Sequence, residues 1–218
     1  ILEFSVPVAV ISLMWVSIYN GNNPLSLSLV ILDTILSPFL IPATLKILVG
    51  SNIKMDTAGM MKELVFMIAL PAVIAMCLNE FSHGKVMETW PKKLAPFSKI
   101  CLIFVVTSNS SKVSPYIKHL NGERLAVTAI ILVLSASGYA IGWLIAIVTK
   151  QNKESTVSMI YGSGMRNISA GAVIAGAYFP AECLFPVMIG TLFQQILAAF
   201  YGSLVRRVQM SQCKKEDI

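Results

Sequence analysis

Apolar runs long enough to cross a bilayer, separated by short charged clusters, constrain this chain more than any other feature. Charged residues concentrate at positions 46–63, 80–99, 112–124, 150–154 and 206–217. The apolar stretches between them approach the roughly 20 residues that a membrane-crossing helix needs. They are continuous rather than alternating, which favours helices over barrel strands. With 56% hydrophobic and 13% charged residues, too little polar side chain remains to cover a water-facing surface, since soluble domains carry about 25% charged residues. The expected fold class is therefore all-α, a polytopic helical membrane protein forming a single transmembrane domain over residues 1–218.

Several function classes drop out. The formal charge of +6 comes from basic residues that border apolar segments and form no stripe interleaved with aromatics. They read as anchors to lipid headgroups, so the expected partner is the bilayer and not nucleic acid. Cys77, Cys101, Cys183 and Cys213 stand singly, without disulfide or zinc spacing, and are expected as free thiols. His83 and His119 lie apart from other plausible ligands, so no metal site is expected from them. No nucleophile elbow, phosphate loop or paired-carboxylate motif is present, which argues against an enzyme or an ATP-driven pump. The chain opens at Ile1 inside an apolar stretch, and the expectation is the C-terminal part of a longer protein.

Seven spans are expected, near residues 4–32, 35–50, 60–79, 97–117, 124–149, 155–179 and 183–205. The first should break at positions 20–24, where Asn20, Gly21, Asn22, Asn23 and Pro24 follow one another. The sixth should break around Gly162, Gly164 and Asn167. Small residues at positions 135–138 and Gly142 suit the fifth span to close helix contact. Ten basic residues fall on one side of this layout and six on the other, so the C-terminus is expected in the cytoplasm of a multi-pass cell-membrane protein.

Placing Asn23 on Asn167 superimposes two units, residues 1–50 and 155–206, and puts Pro42 on Pro186. Each unit reads as a broken helix followed by a proline-containing helix. An odd number of crossings separates the units, so they enter from opposite faces. That is the pattern of inverted-repeat transporters with two discontinuous crossing helices and a midplane site.

Arg166 lies mid-span, where an arginine costs about 2.5–3.5 kcal/mol, so it should face protein, water or substrate. Asp33, within the apolar run 29–36, is the expected charge-balancing partner. The amides opening the second half-helices favour an anion nearby. Ser12, Asn23, Ser26, Asn167 and Ser169 supply polar side chains around the two breaks, for substrate or for backbone capping. The polar run at positions 107–111 suits a water path or an interface, and Gln194 or Gln195 should hydrogen-bond to a neighbouring helix.

The segments 20–50 (NGNNPLSLSLVILDTILSPFLIPATLKILVG) and 164–195 (GMRNISAGAVIAGAYFPAECLFPVMIGTLFQQ) resemble the bile acid:sodium symporter family. The resemblance implies a ten-helix fold of two inverted five-helix repeats, of which this chain would supply helices four to ten. It also implies transport of organic anions, such as bile acids or pantoate, usually with sodium. On the family's Glu-x-Gly-Met-Gln-Asn stretch, Gly162 stands for the sodium-binding glutamate and Arg166 for the glutamine, while Met165 and Asn167 persist. Ser12 and Ser26 match family serines, whereas Leu13 and Val30 replace an asparagine and a threonine. Ser12, Ser26 and Met165 are thus residual sodium-site positions, and Arg166 would repel a nearby cation. The expected function is alternating-access transport of a small organic anion, with no cofactor and with sodium or a proton as the candidate coupling ion. A non-transporting membrane sensor or scaffold of the same fold is the alternative, and an auxin-efflux-type carrier a further one.

Overall fold

A computed structural model describes residues 1–49, 56–86, 89–90, 93–94, 96–97, 100–101, 103–104, 107, 111 and 121–216. Among them the structure is helical: α1 (Leu2–Ser5), α2 (Ser12–Ile18), α3 (Asn23–Val49), α4 (Thr57–Leu64), a π-helical turn (Val65–Ala69), α5 (Leu70–Phe81), α6 (Gly122–Val148), α7 (Lys153–Gly164), α8 (Ile168–Tyr178) and α9 (Leu184–Glu216). Four continuous helical stretches, Asn23–Leu48, Thr57–Phe81, Gly122–Val148 and Leu184–Val208, are long and apolar enough to cross a membrane. At 1.5 Å per residue, α7 alone covers about 18 Å and needs α8 to complete a crossing; α1 and α2 form a second such pair.

Local chemistry sets the helix starts. Asn121, Asn152 and Asn167 accept hydrogen bonds from the amides of Arg124, Ser155 and Ala170, and Asp56 accepts from Gly59. Asn22 accepts from Leu25 at 3.0 Å and so opens α3. Each cap satisfies one of the amides that a helix start leaves unpaired. The π turn directly precedes Pro71, whose ring has no N–H and crowds the turn before it. Pro38 and Pro42 sit inside α3 without ending it.

Two apolar cores lie on either side of a crossing. One gathers Val6, Leu45, Leu64, Ile168, Ala172 and Leu184. The other gathers Ala9, Val16, Tyr139, Tyr161, Met165 and Ala198. In the second core the rings of Trp15, Tyr19 and Tyr161 stack, and Tyr139 stacks on Tyr201 at 5.0 Å. The buried hydroxyls of Tyr139 and Tyr161 donate to the carbonyls of Gln194 and Ala198, tying α6 and α7 to α9. Close approach of α6 and α7 follows from the small residues on α6: the Ser163 hydroxyl donates to the Gly138 carbonyl at 2.9 Å, and a side chain at Gly142 would collide with Ser163. Outward-facing positions such as Phe66, Met67, Leu144, Ile147 and Leu192 remain exposed, as lipid-facing side chains do.

The first expected break is displaced. Positions 20–24 form the partly exposed turn from α2 into the start of α3, with Asn20 at a φ of 53°. The discontinuity that meets the second one is residues 6–11, between α1 and α2. The spans expected at 4–32 and 35–50 are therefore redrawn as the α1–α2 pair and a single α3. The two breaks are joined by Val8 and Arg166, and not at Asn23 and Asn167. The expected spans at 60–79, 124–149, 155–179 and 183–205 coincide with α4–α5, α6, α7–α8 and α9. The span at 97–117, the polar run at 107–111 and His119 fall largely outside the described residues, within which Thr107 and Ser111 are helical.

Candidate functional site

Extended backbone inside an apolar environment is tolerated only where every amide and carbonyl finds a partner. Residues 6–11 carry Pro7, which breaks helical continuity, flanked by the β-branched residues Val6, Val8 and Val10. Here the partner is the second break. Val8 and Arg166 form an antiparallel bridge: the Ala9 amide donates to the Met165 carbonyl at 3.1 Å, and the Asn167 amide donates to the Pro7 carbonyl at 2.7 Å.

The two amides left over at the crossing are met by side chains from the following long helices. The Val8 amide donates to Asp33 Oδ2 of α3 at 2.6 Å, and the Arg166 amide donates to Gln194 Oε1 of α9 at 2.8 Å. The two halves of the molecule thus use one device, with a carboxylate in one half and a neutral amide in the other. Asp33→Ala leaves the Val8 amide without its acceptor and is expected to cost about 1–3 kcal/mol of stability, whereas Asp33→Asn keeps an acceptor and costs less. Thermal unfolding of both variants in detergent checks the order.

Arg166 is half-buried, and its side chain folds back over the end of α7. Nη2 donates to the Ser163 carbonyl at 3.2 Å, one of the carbonyls that a helix C-terminus leaves unpaired and partially negative. Nε is buried and has no hydrogen-bond partner among the described residues. Asp33 acts on the guanidinium through space. The direct ion pair between them that the sequence suggested does not form; Asp33 Oδ2 accepts from the Val8 amide, and the guanidinium bonds the Ser163 carbonyl. A cleft of about 420 Å³ opens beside the crossing, lined by Val8, Leu29, Asp33, Met159, Gly162 and Ser163. Arg166 does not line it; its guanidinium bonds the carbonyl of Ser163, which does.

The remaining expected site residues divide between the crossing and its periphery. Met165 is fully buried at the crossing, and Asn167 caps α8. Ser12 is buried in the first turn of α2, and its amide donates to the Ala9 carbonyl. Ser169 is exposed on α8. Asn23 is exposed too and accepts from the Ser17 hydroxyl, beside a loop whose Asn22 amide donates to the Glu154 carbonyl near the start of α7. Eleven residues of rise separate Glu154 from Met165, about 16 Å, so Asn23 is remote from the crossing. Ser26 is buried with an unpartnered hydroxyl, roughly 10 Å along α3 from Asp33. Sequence reasoning passed over Pro7 and Val8, whose signal was a proline among β-branched residues, and Glu3, a carboxylate in the same apolar stretch.

The model of the SBF-like CPA transporter family matches residues 1–210. The chain belongs to the SBF-like CPA transporter family. Its relatives include the uncharacterized protein YbaS of Bacillus subtilis (strain 168), 40% identical over 209 residues that make up 96% of this chain and 68% of the relative. The uncharacterized sodium-dependent transporter YocS of the same organism is 21% identical over 87% of this chain and 59% of its own. The probable sodium/metabolite cotransporter BASS1 of Oryza sativa subsp. japonica, a chloroplastic protein, is 23% identical over 85% of this chain and 46% of its own. The chain thus spans about half to two thirds of the length of these relatives. Membership of the SBF-like CPA transporter family agrees with the resemblance to the bile acid:sodium symporters and with an all-α multi-pass membrane fold.

Proposed function

We propose that this protein is a secondary carrier of small organic anions that works by alternating access around the Val8–Arg166 crossing. The observation that carries the proposal is a guanidinium held beside paired helix breaks, with its buried Nε unpartnered. In the closed form the Ser163 carbonyl and the field of Asp33 compensate the charge. A carboxylate arriving through the adjacent cleft displaces the carbonyl and gains a charge-assisted contact. Asn167 and Ser12, at the starts of α8 and α2 beside the crossing, would become available to the anion as the crossing opens, and Asp33 balances charge while holding Val8. The loop at 19–22 lies beside the start of α7, and the pocket joining Lys150 and Lys153 to Val205 and Val208 puts the end of α9 at the same level. By the positive-inside rule that level is cytoplasmic, in the cell membrane.

The names of two relatives carry sodium dependence, and the residues here favour a different coupling. Leu13, Val30 and Gly162 offer no side-chain oxygen at positions where the bile acid:sodium symporters have ligands, and Arg166 adds a fixed positive charge. Hard cations need several oxygen ligands, and a guanidinium nearby opposes their binding. Uptake is therefore expected to proceed without sodium. The check is uptake of labelled pantoate and taurocholate as probe anions by the full-length gene product in proteoliposomes, at clamped membrane potential, in sodium and in choline medium. Equal rates are expected; a steep rise with sodium overturns this part and aligns the protein with its sodium-dependent relatives.

A further inference from the structure

We propose that Glu3 is a proton-binding site of this carrier, a reading that rests on the transport function proposed above and names its coupling ion. Glu3 lies on α1 and is 4% exposed, yet its Oε2 has no hydrogen-bond partner among the described residues. The carboxylate rests against Gly190 of α9, where any side chain would collide with it. It lines a cavity of about 250 Å³ whose other walls include Leu2, Leu45, Ile131, Phe179 and Val187. Besides Glu3, the titratable side chain lining that cavity among the described residues is the Cys183 thiol; α3, α6 and α9 present apolar side chains and Pro186. Asp33 and Arg166 do not line it.

Two helical and three extended steps separate Glu3 from Val8, at most about 13 Å of chain, which keeps the carboxyl within the roughly 30 Å hydrocarbon layer when the crossing lies at its middle. An ionised carboxylate without a partner is expensive there, and the neutral acid is not. The group therefore takes a proton from hydronium when its cavity is open to water, becoming the carboxylic acid and leaving water behind. It keeps the proton while occluded and returns it to water when the cavity opens on the other face. Asp33, tied to the Val8 amide, has no comparable freedom. Gly190 and Gln194 lie one turn apart on α9, so a movement of the Glu3 carboxyl reaches the Arg166 amide through a single helical turn. One proton moving with one monovalent anion makes the cycle electroneutral.

Difference infrared spectroscopy of the full-length gene product in sodium-free liposomes tests this, with the proton itself as the probe. Stepping the buffer from acid to alkaline should remove a protonated-carboxyl C=O band in the wild type. That band should be missing in Glu3→Gln and shifted in Gly190→Ala, which displaces the carboxyl while keeping it. Identical spectra in wild type and Glu3→Gln overturn the proposal. If Glu3→Gln does not fold, an unshifted band in Gly190→Ala overturns it instead. The anion-uptake assay separates the two readings: a Glu3 band without anion flux keeps the proton site and removes the carrier, and flux without a Glu3 band does the reverse.

Discussion

Arg166→Ala is expected to abolish uptake of organic anions, by roughly 100-fold or more, while the protein still inserts and folds. A charge-assisted contact between a guanidinium and a carboxylate in a desolvated site is worth about 2–5 kcal/mol when one partner is removed, and 2.8 kcal/mol is about two orders of magnitude in affinity. Stability should move little. The alanine relieves the cost of a mid-membrane arginine, and the crossing itself is held by main-chain groups of Arg166 that alanine retains. Arg166→Lys keeps the charge and loses the planar fork, so it should restore only part of the uptake. Uptake in proteoliposomes, read beside the thermal midpoint, checks all three. A variant that transports at the wild-type rate removes Arg166 from the anion site, and one that loses stability alone supports a scaffold of the same fold.

Gly164→Ala should have the largest effect on folding, a destabilisation of roughly 3 kcal/mol, at the upper end of overpacking costs. A methyl group there would run into the ring of Tyr139. That ring cannot yield: it is fully buried, stacked on Tyr201 at 5.0 Å, edge-on to Tyr161, and tied through its hydroxyl to the Gln194 carbonyl at 3.0 Å. The same displacement would pull on the turn of α9 that holds Arg166. Gly122→Ala is the control, since nothing lies within 4 Å of an added Cβ there, and helix propensity favours alanine by up to about 1 kcal/mol. Unfolding of both variants in detergent, followed by circular dichroism, should show a marked loss for the first and none for the second.

The Gly164 contact also shows why part of the site could be read before the fold was known. Gly162, Gly164 and Asn167 announce a break by their own conformational preferences, and the chain does leave the helix at Met165. The same local logic misjudged positions 20–24: asparagine, glycine and proline there mark a chain reversal at the end of α2, which obeys the same rule in a different place. Arg166 was found because an arginine in an apolar run is conspicuous wherever it stands. Asp33 was found for the same reason, but its role changed, since its acceptor serves a main-chain amide.

By itself the sequence determined the class of the molecule, most of its long apolar helices, the second helix break and the place of Arg166 within it, because composition and glycine, asparagine or proline preferences act within a few residues. Tertiary structure decided that the chain stays extended over residues 6–11 after Pro7 interrupts the helix. A proline explains the interruption but not an extended stretch within a membrane; that persists because Met165, Asn167 and Asp33, far away in sequence, supply the hydrogen bonds that lipid cannot. The isolation of Glu3 against Gly190 is likewise a property of two packed helices, which neither residue states in its own neighbourhood.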